Sequence, residues 1–303
     1  MKKRLLSIFL AVAVTLSAYS TIIIASAEQV GEDVVYFSAD GTGDGKTVDT
    51  PTTLEDAIAK VKNGGTLRLK GTIGDVTKTR YSIGSKDKEI NILGIDKNTS
   101  VIESKAAFAP VGKIFFDNLT FKSTVPTSDV FLFMLKGTEN SEVTIGVVVV
   151  FDIAGTGGDQ CIAPDSDGYT KFVANTGTYK TIYAGGYNSS LNTDTDYIIS
   201  NVTVSNMAIA NGWRSASGDG GLSWEGNYNF TVNNSKVTKI VLGHLNGLRR
   251  TTKGIARVTV NEGSTVDAIY MGAEWKEMNS TGLRIAEING GAVSAISNSK
   301  ESN

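Results

Sequence analysis

The chain has few of the residues that carry covalent or metal chemistry. Of its 303 residues one is cysteine, Cys161, and one is histidine, His244. A single cysteine excludes an internal disulfide, so burial and backbone hydrogen bonds must hold the fold. Flanked by Gln160 and Ile162-Ala163, Cys161 reads as a small buried apolar residue. One histidine excludes a two-histidine metal site and argues against a zinc centre. There is no P-loop and no triad order. Gly41-Thr42-Gly43 is not followed by a helix at dinucleotide-binding spacing, so it reads as a turn. Beyond the N-terminus no segment is long and apolar enough to span a bilayer. Proline is scarce, at 4 residues, which leaves long stretches free to pair as strands.

Excess positive charge is also missing. Met1-Lys2-Lys3-Arg4 is a basic start, an apolar stretch begins at Leu5, and Ala25-Ser26-Ala27 has the form of a cleavage site. Residues 1–27 therefore read as a secretory signal peptide, and the expected location is secreted or cell-surface. That segment holds three of the 29 basic residues and none of the 31 acidic ones, so the remainder carries 26 against 31, a net charge of −5. This balance argues against nucleic acid, or a membrane after cleavage, as a partner.

What is plentiful is glycine, at 33 residues, together with Thr, Ser, Val, Ile and Asn. That is a β-rich composition with many tight corners. Near the C-terminus a pattern recurs every 28 residues. Val204, Val232, Val260 and Ile288 form one apolar column, and Val202, Phe230, Val258 and Ala286 another. Thr203, Thr231, Thr259 and Glu287 lie between them, and Ser205, Asn233, Asn261 and Asn289 follow. Period-2 alternation gives a strand with one buried face, and its long-range repetition gives a solenoid. Stacked in parallel, the asparagines should form a hydrogen-bonded ladder and the valines a dry interior. Apolar residues followed by glycine recur as well, at Ile182 to Gly185, Ile240 to Gly243 and Ile269 to Gly272. A weaker copy runs from Ile209 to Gly212.

One helix is expected, over 53–62. Thr52 and Glu55 suggest a capping box, Asn63-Gly64 a stop, and Leu54, Ala57, Ile58 and Val61 an apolar face. It should cap the first coil, because an open strand edge invites aggregation. The expected organisation is a signal peptide (1–27), an N-terminal strand, loop and capping helix (28–65), a parallel β-helix (66–297) and a polar tail (298–303). No cap is evident at the last coil. Either the tail covers that edge, or it meets another chain by end-to-end self-association.

Tyr36-Phe37-Ser38, Thr53-Leu54-Glu55-Asp56-Ala57, Gly64-Gly65-Thr66-Leu67, Asn91-Ile92-Leu93-Gly94 and Phe116 to Phe121 resemble the capped entrance and strand motifs of pectin-lyase-like proteins. The resemblance implies an all-β, right-handed parallel β-helix. That family includes polysaccharide lyases, glycoside hydrolases, phage tailspikes and non-catalytic surface proteins.

The post-glycine loops should stack on one side. They carry Tyr187, Trp213, His244 and Trp275, with Asp194, Asp196, Arg214, Asp219, Arg249, Arg250 and Glu274. Aromatic faces stack on sugar rings, while carboxylates and guanidinium groups bond hydroxyls or uronates. Ordinary packing of these loops over the coil edge is the competing reading. A polygalacturonase-like site needs a pair of acids. Asn192-Thr193-Asp194 matches the first motif that such a resemblance implies. Gly218-Asp219-Gly220, Gly243-His244-Leu245 and Arg284-Ile285-Ala286 match only in part. Asp159, Asp165 and Asp167 have hard-oxygen spacing for calcium, the one cofactor contemplated, but lack the remaining EF-hand positions and read equally as a solvated turn. The leading expectation is a non-catalytic module that binds extracellular polysaccharide or a cell-surface glycan. The alternatives are a polysaccharide-degrading hydrolase or lyase, and the structural stalk of a surface assembly.

Overall fold

The computed structural model describes residues 33–124, 133–135, 141–153, 162–164, 169–183, 193–209, 223–243, 251–272 and 282–298. These form a parallel β-solenoid with one short helix. A first ladder begins with Val34–Phe37 on Gly65–Leu69 and continues through 90–94 and 113–117 to Ser141–Ile145. It then passes through Thr170–Ala174, Thr195–Ser200, Tyr228–Asn233 and Ala256–Asn261 to Arg284–Asn289. A second ladder runs from 80–85 and 107–112 through Phe133–Leu135, Ile162–Pro164 and Thr178–Tyr183. Thr203–Ile209, Lys236–Val241, Thr265–Tyr270 and Ala292–Ser297 complete it. A third, shorter ladder joins Thr72–Asp75, Val101–Ser104, Thr120–Ser123 and Val150–Ile153. Among the described residues the early coils are therefore three-sided and the later coils two-sided.

Alternation sets the interior. Leu67, Ile92, Phe116, Val143, Phe172, Tyr197, Phe230 and Val258 all point inward and are buried. Aromatic rings run along the axis as a spine, with centroids 5.1 Å apart for Phe116–Phe121, 5.0 Å for Phe121–Phe133 and 6.2 Å for both Phe133–Phe172 and Tyr197–Tyr228. Those spacings lie in the favourable range for aromatic pairs. The run Val147 to Val150 spans a corner: Val147 is 65% exposed and Val149 is buried.

The 28-residue columns hold from Val232 onward, where Val232, Val260 and Ile288 are direct partners. Their expected first members are displaced. Val204 pairs with Val237 in the second ladder, and the coil before Val232 contributes Ile199. The columns are therefore Tyr197–Phe230–Val258–Ala286 and Ile199–Val232–Val260–Ile288. The step from Ile199 to Val232 is 33 residues rather than 28, because the loop in that coil is longer. In the second ladder Ala208, not Ile209, takes the place of Ile182 and Ile240. The asparagine ladder is present: Asn261 Nδ2 donates to Asn233 Oδ1 at 2.7 Å, and Asn289 Nδ2 to Asn261 Oδ1 at 3.3 Å. Ser200 Oγ, not Ser205, receives Asn233 Nδ2.

The helix spans Leu54–Lys60 and buries Ala57 against the first coil. Its N-cap is Thr53, not Thr52; Thr53 Oγ1 accepts the Asp56 N–H at 3.2 Å. Thr52 instead forms a parallel bridge with Phe37. At the other end Lys88 Nζ donates to the carbonyls of Ile58, Ala59 and Val61 at 2.7, 2.9 and 2.7 Å. A lysine there satisfies orphan carbonyls and complements the negative end of the helix dipole.

Candidate functional site

One edge of the solenoid lies between the end of each second-ladder strand and the start of the next first-ladder strand. In the early coils the crossing is short, from Ser85 to Glu89 and at Gly112-Lys113. A cleft of about 310 Å³ lies there, lined by Asn63, Lys86, Asp87, Lys88, Glu89, Gly112 and Lys113. In the later coils the crossings are long. Residues 184–192, 210–222, 244–250 and 273–281 belong to them and lie outside the described residues.

The attachment points of the long loops are fixed at both ends. On the entry side Ile209, Val241 and Tyr270 are in register. On the exit side glycines stack backbone on backbone. A Cβ on Gly226 would sit 1.9 Å from Thr193 O, one on Gly254 1.7 Å from Gly226 O, and one on Gly282 2.0 Å from Gly254 O. Any side chain at these positions would force the coils apart. Beside this column Ser223–Trp224 pairs in parallel with Thr251–Thr252. Lys253 Nζ meets Glu225 Oε1 at 2.6 Å.

Of the expected binding residues, Asp194 and Asp196 lie among the described ones. Asp194 precedes its strand. Its Oδ1 accepts the backbone N–H of Asn227 at 2.8 Å, and Asn227 Oδ1 accepts that of Ile255 at 3.1 Å. Each side chain thus caps the coil that follows. The Asn192-Thr193-Asp194 match accordingly ends in an aspartate that holds backbone. Tyr187, Trp213, Arg214, Asp219, His244, Arg249 and Trp275 fall within the long loops and outside the described residues.

Asp196, expected on a loop, is instead on the strand Thr195–Ser200. It accepts Tyr169 OH at 2.6 Å and Asn229 Nδ2 at 2.8 Å. Burial raises the Tyr169 phenol well above its ordinary value, and the hydrogen bond to Asp196 and its charge add to the shift. Arg284 lies at the start of its strand, beside the exit-glycine column. Its Nη1 donates to Gly254 O at 3.2 Å and Leu283 O at 2.9 Å, and burial lowers its pKa.

Asp159, Asp165 and Asp167 lie outside the described residues, among which no group of three His, Cys, Asp or Glu side chains could hold a metal ion. One feature of this edge escaped the sequence reading, the glycine column. The signal for the column was available, since Gly226, Gly254 and Gly282 recur at the same 28-residue interval. Among the described residues no helix is long and apolar enough to cross a membrane. No family model matches the chain, and comparisons with curated proteins and solved structures return no match.

Proposed function

We propose that this chain is an exported, non-catalytic β-helix module of pectin-lyase-like type, at the cell surface or in the medium. It binds polysaccharide along its loop-bearing edge. The observation that carries this reading is the double anchoring of the long loops. Their entry strands are in register and their exit glycines are in backbone contact. Consecutive loops then leave the body about 4.8 Å apart per coil. The sequence of these loops supplies Tyr187, Trp213, His244 and Trp275 with Arg214, Asp219 and Arg249, residue types that suit an extended sugar chain by ring stacking and hydroxyl or carboxylate pairing. Loops on a rigid solenoid are the usual place for such a surface.

Hydrolysis is disfavoured by one specific observation. The aspartate of the best-matched hydrolase motif, Asp194, is committed through Oδ1 to the next coil's backbone. General acid–base cleavage needs a matched pair of carboxylates.

The test is a panel of neutral and acidic polysaccharides offered to the chain lacking residues 1–27, with binding measured by calorimetry and turnover by reducing-end release and unsaturated-uronate absorbance. The expected result is binding without turnover, lost in Trp213→Ala. Turnover that disappears in Asp219→Asn would overturn the non-catalytic reading. Absence of binding across the panel would leave the structural stalk. Residues 1–27 are tested separately, by whether they direct a reporter out of a bacterial cell.

A further inference from the structure

The outer face of the first ladder carries a pattern that the loop edge does not use. One outward column reads Glu89, Lys113, Glu142, Lys171, Asp196, Asn229 and Arg257 in successive coils. Its signs alternate down to Asp196. The alternation serves the chain internally, since Lys113 Nζ meets Glu142 Oε1 at 2.7 Å and Lys171 Nζ meets Glu142 Oε2 at 3.8 Å. The neighbouring outward column reads Val34, Thr66, Asn91, Phe115, Thr144, Val173, Ile198, Thr231, Thr259 and Glu287. Phe115, Val173 and Ile198 are partly exposed on this outer surface.

We propose that this face pairs with the same face of a second copy. The two solenoids run antiparallel, related by a two-fold axis parallel to the strands and lying between the coils of Glu142 and Lys171. An isologous contact requires a self-complementary surface, and this register supplies one. Glu142 faces Lys171 of the second copy, Lys113 faces Asp196 and Glu89 faces Asn229. In the next column Phe115 faces Ile198, Thr144 faces Val173, Asn91 faces Thr231, Thr66 faces Thr259 and, at the rim, Val34 faces Glu287. No like charges meet, and Phe115, the largest apolar residue of the two columns, meets Ile198.

Neighbouring registers fail. An axis through the Glu142 coil sets Glu142 on Glu142 and Lys113 on Lys171. An axis through the Lys171 coil sets Lys171 on itself and Glu142 on Asp196. Moved between Lys171 and Asp196, the axis opposes Lys113 to Arg257. Moved between Lys113 and Glu142, it places Phe115 on Thr144 and Ile198 on Thr66.

The selected axis also falls midway along the ladder, with five strands on either side: Val34–Phe37, Gly65–Leu69, 90–94, 113–117 and Ser141–Ile145 above, then Thr170–Ala174, Thr195–Ser200, Tyr228–Asn233, Ala256–Asn261 and Arg284–Asn289 below. Overlap is therefore complete. Ten strands at ~4.8 Å and five residues at ~3.3 Å give roughly 800 Å² per copy, the size of a standard specific interface.

The test uses sedimentation and covalent trapping. The chain lacking residues 1–27 is expected to show a concentration-dependent monomer–dimer equilibrium. Ile198→Lys should weaken it by at least about tenfold, as loss of a central apolar anchor does. Phe115→Cys with Ile198→Cys, in a Cys161→Ser background, gives the decisive readout. Within one chain these positions are three coils apart, roughly 14 Å by strand spacing, too far for a disulfide. Mild oxidation is expected to give a covalent dimer whose bridge joins 115 to 198. A bridge of 115 to 115, or a parent chain that sediments as a monomer up to about 100 μM, would overturn the pairing. The parent chain's sedimentation decides the matter if the double-cysteine variant does not fold.

Discussion

Gly254→Ala tests whether the coils are as closely stacked as the glycine column implies. The added Cβ would lie 1.7 Å from Gly226 O, 2.5 Å from Gly226 C and 3.0 Å from Glu225 O. All three atoms are backbone, so no rotamer change relieves the clash. A Cβ at less than 3.0 Å is not tolerated, so the coils must part by about 1.3 Å. That movement strains Tyr228 N–H to Ile255 O at 2.8 Å and Ile255 N–H to Asn227 Oδ1 at 3.1 Å. Overpacking alone costs about 1–3 kcal/mol, and one or two weakened hydrogen bonds add about 1 kcal/mol each, so a loss of roughly 2–5 kcal/mol is expected.

Gly71→Ala is the control. Gly71 has φ +75° but nothing within 4 Å of its virtual Cβ, so only backbone strain acts. That strain costs about 1–2 kcal/mol and is partly offset by about 0.4–1 kcal/mol of unfolded-state entropy. Urea unfolding of the three proteins gives the comparison. Hydrogen exchange should show the damage of Gly254→Ala concentrated in residues 226–297, because a solenoid coil contacts only its neighbours. If Gly254→Ala costs no more than Gly71→Ala, the exit glycines do not pin the loops, and the double-anchoring argument for the binding edge fails with them.

Three further outcomes are expected. Lys88→Met should lower stability by about 2–3 kcal/mol, measured by urea unfolding, since it removes a charged donor shared by three helix carbonyls. Asn261→Ala breaks two rungs of the amide ladder and should cost about 1–2 kcal/mol, whereas Asn261→Asp keeps an acceptor for Asn289 but loses the donor to Asn233. Tyr179 and Tyr197 are fully buried and their phenols are pushed far above the usual value by desolvation. A phenol whose folded pKa is raised contributes stability below the unfolded pKa of about 10 and loses it progressively as pH climbs above that point. Spectrophotometric titration should therefore show these tyrosines ionising only together with alkaline unfolding, and a smooth titration of every tyrosine near pH 10 would contradict the burial.

The class of fold was readable because alternation and repetition are local signals that tertiary context does not reverse. Val232, Val260 and Ile288 stack as their spacing implies. Val204 shows where such reading breaks down. Both strands of a two-sided coil carry the same apolar–polar alternation, so a 28-residue rule fits a residue from the wrong ladder when one loop is longer. The capping residue was misplaced by one position for a similar reason: Thr52 and Thr53 offer the same hydroxyl, and the pairing of Thr52 with Phe37 decides between them. Of the candidate site, the intervals between strands were legible as departures from the strand pattern, except at Asp196, which lies on the strand Thr195–Ser200. The roles of their polar residues were not, because a triplet such as Asn192-Thr193-Asp194 does not say what its carboxylate faces. Gly226, Gly254 and Gly282 were overlooked because glycine in a glycine-rich chain reads as generic turn material until its neighbour one coil away is known.

The change from three-sided to two-sided coils has a consequence for how the chain acquires its shape. The wide coils carry the helix, a third strand each and the cluster of Phe108, Phe116, Phe121, Phe133 and Phe151, so they make the more extensively packed seed and should form first. Each completed coil then presents a finished strand edge on which the next coil can zip, at the loop-closure cost of one turn only. That seed is also made before the narrow coils by the ribosome. Folding would thus proceed as growth on a seed in the order of synthesis, and unfolding would run back from the narrow end, coil by coil.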